Sequence, residues 1–452
     1  MTIQRLATAL SLVLLLPACD FDVPDLNRPA LDQILANPTP AAVESAATGL
    51  VAGARADIAE RIGYVSELGI LGRESYVLSG SDDRFVTELL AGASLDPGTP
   101  SFGGNFWIAP YANIRNANLV LDALPKVATG LTDAEKQSVV GFAKTMMALD
   151  FLKVINTRDV NGAAIDVDLQ IGQLAPLVSK AEVFARIASL LEDGKTSLLA
   201  ASPAFPFPLG NGFSNFAVPA DFLKFNRALA ARVAVYRGQH AAALAALGES
   251  FLDTTAPLSL GAYHSFGIGS GDLQNDLNTS DILVHPSIVT DAEPLSPPVA
   301  GCADLACLDN RVQNKVTPVP PVTLYGITSG YTFKVYPNKD SPVPIIRNEE
   351  LILLRAEANI GLGATGNLGQ AKADLNLIRT TSGGIAERGG LNASNILDEL
   401  LKQKRYSLLF EGGHRWIDAR RYGKLGTLPI DVPGQRVQTA FPIPTAETDA
   451  RP

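Results

Sequence analysis

Apolar residues recur at the three- and four-residue spacing of an amphipathic helix along most of the chain. Thr132 precedes Glu135 by three residues, and Ser179 precedes Glu182 by three, which is the spacing of a capping box at a helix start. The pattern predicts helices over residues 40–64, 105–124, 133–155, 179–200, 221–236, 239–247, 347–360, 368–379, 393–410 and 415–422.

Residues 251–344 break this pattern, because Gly, Pro, Ser, Asn and Asp dominate and aromatic residues stand alone. We interpret this stretch as a lobe of irregular loops and short strands. Short helix pairs with Gly at the turns flank it and resemble tetratricopeptide-type hairpins, although the repeat is imperfect. The predicted fold class is mostly α, with a tetratricopeptide-like helical scaffold over residues 41–250 and 345–425 and a loop-rich lobe over about 251–344.

The first nineteen residues contain a single charge, Arg5, followed by an apolar run over residues 6–16. That run is too short to span a bilayer but suits a signal peptide. Ala18 and Cys19 then resemble a bacterial lipobox, although an ordinary signal peptide with a chance cysteine is the alternative. We therefore predict a lipoprotein signal peptide over 1–18, lipid attachment at Cys19 and an extended tether over 19–40.

The two remaining cysteines, Cys302 and Cys307, have four residues between them and lie in a Pro-rich stretch. In an exported protein such a pair favours a local disulfide. Free thiols and a metal site are the alternatives, and the metal site lacks two further ligands in a suitable pattern.

Composition restricts the functional class. Apolar residues make up 46% of the chain and charged residues 18%, so a large core can form and wholesale disorder is excluded. The net charge of −9 without a Lys/Arg block argues against nucleic-acid binding, because phosphate contacts need a basic surface.

The chain has no recognisable catalytic motif, so the sequence predicts no enzyme activity, cofactor or metal. The glycines of residues 361–366 match a dinucleotide-binding pattern, but a helix rather than a strand precedes them, which favours an inter-helix turn. His414 lies near Glu411 and Asp418, where Arg415, Arg420 and Arg421 favour a structural charge network at a helix junction over acid–base chemistry.

Several motifs in order along the chain resemble the SusD/RagB family of surface nutrient-binding lipoproteins. The first places Trp107, Tyr111, Ile114 and Asn118 on one helix. The other motifs cover residues 347–358 (RNEELILLRAEA), 374–379 (DLNLIR), 410–421 (FEGGHRWIDARR) and 441–447 (FPIPTAE). The chain departs from the family pattern at residues 403–408, which lack two glutamates, and by one extra residue before Arg415.

The resemblance implies one SusD-like domain over residues 41–452 of a non-catalytic, lipid-anchored, surface-exposed outer-membrane protein. It would capture an oligomeric nutrient, a glycan or else a peptide, and deliver it to a SusC-like TonB-dependent transporter barrel. A helical-repeat adaptor for a protein partner is the alternative. The ligand-binding candidates are aromatic residues and one histidine in the regions where the family binds ligand: Phe102, Phe106, Trp107, Tyr263, His264, Phe266, Tyr325 and Tyr331.

Overall fold

The computed structural model describes residues 37–98, 102, 105–169, 173–302 and 304–451. The predicted signal peptide, Cys19 and most of the predicted tether lie outside these residues. The longer helices are α1 (Pro40–Ala54), α2 (Tyr64–Leu71), α4 (Asn105–Ala123), α5 (Asp133–Arg158), α6 (Lys180–Leu199), α7 (Pro219–Tyr236), α8 (His240–Gly248), α11 (Asn348–Gly361), α12 (Leu368–Leu377), α13 (Ile396–Ser407) and α14 (His414–Arg421). The short helices are α3 (Arg84–Thr87), α9 (Ser287–Thr290), α10 (Asn310–Lys315) and α15 (Thr445–Asp449).

The mostly helical fold class is confirmed, and both predicted capping boxes form, at Thr132 with Glu135 and at Ser179 with Glu182. The predicted helix over 40–64 is wrong in its second half. It ends at Ala54 because the chain turns through Asp57, which has a left-handed φ of 60°, before α2 begins. Within the described part of the chain, no helix is both long enough and apolar enough to cross a membrane.

Helices α4 to α8 pack in sequence as antiparallel neighbours around one core. The α5–α6 contact is close because two glycines face it. A Cβ atom on Gly141 would lie 2.6 Å from Leu198, and one on Gly194 would lie 3.0 Å from Thr145. Larger residues at these positions would push the helices apart. A cluster of phenylalanines, including Phe142 and Phe222, fills the space beside this contact.

The strands are β1 (Ser75–Val77), β2 (Ala163–Ala164), β3 (Leu177–Val178), β4 (Gly261–His264), β5 (Ile282–Val284), β6 (Val316–Leu324), β7 (Ile327–Phe333) and β8 (Val343–Arg347). An antiparallel sheet with the order β1-β5-β7-β6 forms the lobe. Because β1 precedes residue 251, the lobe recruits residues from outside its predicted range. The pairing of β4 with β8 joins the two ends of the lobe segment.

The β6–β7 hairpin is the most regular part of the lobe and is longer than the short strands predicted there. Tyr325 and Gly326 form its turn with φ angles of 53° and 76°, the signs of a type I′ turn. Pro318, Pro320 and Pro321 lie in β6, which is the edge strand, the position in a sheet where proline is tolerated. These prolines concealed the strand in the sequence.

A buried ion-pair network joins the C-terminal helices. Glu357 of α11 is fully buried and accepts from Lys404 at 2.9 Å, from Arg421 at 2.7 Å and from the Tyr422 hydroxyl at 2.7 Å. Asp418 of α14 pairs with the same two cations, each at 2.6 Å. Burial alone raises the pKa of Glu357, but Lys404 and Arg421 outweigh it and hold that pKa well below its usual range.

A second buried cluster of ion pairs lies at the end of β8. Arg347 binds Glu411 at 2.8 Å and also Glu349, while Lys315 binds Glu411 at 2.7 Å. The predicted structural charge network is therefore present in part. Asp418, Arg421 and Glu411 lie in these clusters. Arg420 instead pairs with Asp159, and Arg415 forms no ion pair among the described residues.

We expect Glu357→Gln to lower the free energy of unfolding by about 3 kcal/mol, because it leaves two buried cations short of one carboxylate. Urea titration of the folded protein measures this change. The control is Glu249→Gln, which removes an exposed partner of Lys195 and should cost less than about 1 kcal/mol. Equal losses from the two substitutions would contradict the importance of the network.

The burial of the Glu74 carboxyl can be tested by the pH dependence of the protein's stability. Glu74 is fully buried after α2, and this burial raises its pKa to about 7 although Arg415 acts in the opposite direction. A carboxyl in the unfolded chain has a pKa of about 4.3. The folded state therefore favours the protonated form, and the stability that this carboxyl contributes is present below about pH 4 and disappears by about pH 7.

Glu74→Gln should therefore become more stable relative to the wild type as the pH rises, by about 2–3 kcal/mol between pH 5 and pH 8. Urea unfolding of both proteins at the two pH values measures the difference, with Glu249→Gln as control. A stability difference that is independent of pH would show that Glu74 is ionised in the folded protein.

Candidate functional site

The structure scatters the eight predicted ligand-binding residues over the core and the lobe. Phe102, Phe106 and Trp107 are at most 3% exposed. Phe102 packs edge-on against Phe85, at a ring distance of 5.2 Å. Phe106 packs edge-on against Tyr64 and Phe441, and Trp107 contacts Tyr111 at 4.7 Å.

This burial is a correction to our expectation for the first three candidates, because a ring enclosed by other side chains has no face to offer a ligand. Phe102, Phe106 and Trp107 are part of the hydrophobic core as the structure places them. His264 and Phe266 are buried as well, and Tyr331 packs against the core of the lobe.

Tyr263 and Tyr325 are the remaining candidates. Tyr263 is half-buried, and its hydroxyl donates to the Ser259 carbonyl. Tyr325 is 39% exposed at the tip of the β6–β7 hairpin. Its hydroxyl donates to the Ser79 carbonyl at 3.1 Å, which fixes the ring beside the loop of residues 79–84. Tyr325 therefore offers an oriented aromatic surface.

The 79–84 loop surrounds this ring with polar groups. Arg61 donates to the Ser79 hydroxyl at 3.3 Å and to Asp281 at 2.7 Å, and so connects the loop to the start of β5. The Ser79 and Ser81 hydroxyls lie 3.0 Å apart, and Gly80 and Ser81 are exposed. We call Arg61, residues 79–84, Asp281 and Tyr325 the Tyr325 face.

Asp82 and Arg84 add a fixed charged pair to the Tyr325 face. Arg84 binds Asp82 through two nitrogens, at 2.8 and 3.0 Å, and these hydrogen bonds lower the pKa of Asp82. The Arg84 guanidinium lies over the ring of Phe102, 4.8 Å from its centroid. Phe102 thus supports the face from below, although it cannot contact a ligand itself.

The Tyr325 face is suited to binding. Arginines hold two of its three carboxylates, those of Asp82 and Asp281. An aromatic surface bordered by hydroxyl, carboxylate and guanidinium groups matches the apolar faces and hydroxyl edges of sugar rings.

Two other predicted sites have a structural role. Cys302 and Cys307 form a disulfide, with their Cα atoms 5.6 Å apart. Their sulfurs are therefore not thiolates, and the group that they form with Asp304 is not a thiolate metal site. The glycines after α11 form a turn, in which Gly363 has a φ of +57°.

Five residues of the Tyr325 face were not among the ligand-binding residues predicted from the sequence: Arg61, Ser79, Asp82, Arg84 and Asp281. These residues lie in short polar segments that match no motif. The pairing of β1 with β5 brings Arg61 and the 79–84 loop close to Asp281, which is about two hundred residues further along the chain. A cluster of Gly, Ser and Asp over residues 79–83 was the available signal for a functional loop.

The C-terminal part of the chain is similar in sequence to a known protein family. Residues 329–451 match the sequence model of the SusD family. Curated protein sequences give no significant match to the chain. The motifs at residues 347–358 and 410–421 lie inside the matched segment.

Solved structures share the fold over 91% of this chain. A SusD-like carbohydrate-binding protein from Bacteroides fragilis superposes with a TM-score of 0.70 at 13% identity, over 98% of its own chain. Surface glycan-binding protein A from Bacteroides thetaiotaomicron, in complex with laminarihexaose, gives 0.65 at 14% identity over 98% of its chain. A laminarin-binding SusD-like protein gives 0.61 at 16% identity, also over 98% of its chain. The sequence of residues 329–451 and the fold of the described chain therefore both match SusD-like proteins.

Proposed function

We propose that this protein is a non-catalytic binding protein that captures an oligosaccharide at the Tyr325 face and passes it to a TonB-dependent transporter barrel in the outer membrane. The supporting observation is the exposed ring of Tyr325, held by its hydroxyl beside the polar 79–84 loop. No other predicted ligand-binding residue combines comparable exposure with such a polar border among the described residues.

The chemistry of the Tyr325 face favours a sugar over an apolar ligand. A sugar ring can place its C–H face on Tyr325 while its hydroxyls bond to the exposed groups around Ser81 and Asp82. The relatives that bind laminarin or laminarihexaose share the fold at low identity, and they make a β-glucan oligosaccharide the natural first probe. A peptide ligand is the alternative outcome of the binding test.

The proposed location follows from the N-terminal sequence. Cys19 and the apolar run before it fit lipid attachment, and a lipid would hold the domain at a membrane surface. Transfer of nutrient to a barrel completes the proposal, because a binding protein without catalytic groups needs a transporter to move its ligand across the membrane.

We expect Tyr325→Ala to weaken binding of laminarihexaose by at least about tenfold, since the ring supplies the stacking surface. Isothermal titration calorimetry of the purified domain measures this loss. Tyr325→Phe is the matched control, because it keeps the ring and removes only the hydrogen bond to Ser79.

Three outcomes distinguish sugar binding at the Tyr325 face from sugar binding at another site and from peptide binding. Weak binding by Tyr325→Ala with near-normal binding by Tyr325→Phe supports the Tyr325 face. Unchanged binding by Tyr325→Ala, with loss in Tyr263→Ala, places the site elsewhere. Saturable binding of peptides and of no glycan in a broad panel contradicts the sugar proposal.

The membrane proposal makes a separate prediction. Cys19→Ala should abolish incorporation of a labelled fatty acid and move the protein out of the membrane fraction. The control is the double variant Cys302→Ala with Cys307→Ala, which should remain labelled because it removes only the disulfide. The wild-type protein should co-purify with a barrel protein, and co-purification with a different partner would favour the adaptor alternative.

A further inference from the structure

A groove of about 500 Å³ opens between α13 and α14, apart from the residues of the Tyr325 face. Its volume lies within the range of about 300–1,000 Å³ that is usual for small-molecule sites. Leu401, Ala419 and Leu428 form its apolar wall. The charged and polar residues that line it are Asp291, Asp398, Lys402, Lys404, Arg405, Arg415, Asp418, Lys424 and Thr427.

Most cations of the groove already have carboxylate partners. Lys404 is buried in the ion-pair network, and Lys402 pairs with Glu293 at 2.9 Å. Arg405 pairs with Asp291, and Lys424 pairs with Asp398. The last two carboxylates are 51% and 69% exposed at the rim, where water weakens both pairs.

Arg415 differs from these cations. Its Nη1 atom donates to the Arg73 carbonyl at 2.6 Å, and no carboxylate among the described residues forms an ion pair with it. Arginine has five N–H donors in a planar fork, so most of its hydrogen-bonding capacity is unused. Arg415 thus presents a guanidinium without a carboxylate ion pair in the wall of a concave groove, and its main countercharge is the buried Glu74 carboxyl.

The surroundings of Arg415 make a positive charge unfavourable. Burial, followed by the nearby charge of Arg405, lowers the pKa of Arg415 to about 9, although the charge of Glu74 acts in the opposite direction. A bound anion would offset both effects, because it would replace lost hydration and screen the two guanidinium groups from each other.

We propose that the groove between α13 and α14 binds a small hydroxylated organic acid, such as a sugar acid, with its carboxylate on Arg415. A carboxylate matches the planar fork of a guanidinium and can bond to it in a bidentate manner. The hydroxyls of the ligand would face Thr427 and the rim charges, and its C–H groups would face Leu401 and Leu428. This site is additional to the Tyr325 face and binds a different chemical class.

The experiment uses galacturonate as the probe, with galactose as its neutral counterpart and acetate as the bare carboxylate. We expect saturable binding of galacturonate by the wild-type domain in a calorimetric or NMR titration, and much weaker binding of the other two compounds. Arg415→Gln should weaken galacturonate binding by at least about tenfold. Lys334→Gln, which removes one exposed positive charge outside the groove, should change it less than about twofold.

Galacturonate that fails to saturate, or that binds Arg415→Gln as well as the wild type, overturns the proposal. Equal binding of acetate and galacturonate overturns it as well, since the groove would then hold an anion without recognising the sugar body. If Arg415→Gln does not fold, the changes in wild-type backbone amide chemical shifts on addition of galacturonate decide between the outcomes. Changes at residues 401 and 427 support the site, and changes confined to other regions contradict it. Tyr325→Ala should leave galacturonate binding unchanged, which separates this test from that of the proposed function.

Discussion

Buried ion pairs of Glu357 and Asp418 with Lys404 and Arg421 hold the three C-terminal helices α11, α13 and α14 together. Each of these charges is costly to bury alone, so α11, α13 and α14 must dock together for any of them to leave water. A second buried ion pair, between Arg347 and Glu411, lies at the end of β8. These pairs together favour one arrangement of the C-terminal helices, and most of their members lie in the motifs that resemble the SusD/RagB family.

This arrangement also positions the lobe. β8 runs directly into α11 and pairs with β4, so the two ends of the 251–344 segment are fixed against the helical scaffold. Between these two ends, the sheet places the tip of the β6–β7 hairpin next to the loop after β1. There the Tyr325 hydroxyl donates a hydrogen bond to the Ser79 carbonyl. The residues of these motifs thus support the face that we propose for ligand binding, while the face itself consists of residues outside the motifs.

The helical scaffold could be predicted from the sequence because its signals are local. Apolar spacing and the two capping boxes located α5 and α6 closely. The β6–β7 hairpin could not be predicted in full, since three prolines obscure an edge strand. The sequence also could not predict that Trp107 is buried and Tyr325 exposed. The burial of a ring depends on which elements pack around it, and the neighbouring sequence does not determine this packing.

We propose that oligosaccharide binds where Tyr325 meets the 79–84 loop, and the decisive measurement is a crystal structure of the protein with a bound laminarin-derived oligosaccharide. We expect a sugar ring against the Tyr325 side chain, with hydroxyls bonded to groups of the 79–84 loop. An ordered oligosaccharide at another surface, with the Tyr325 face empty, would contradict this proposal.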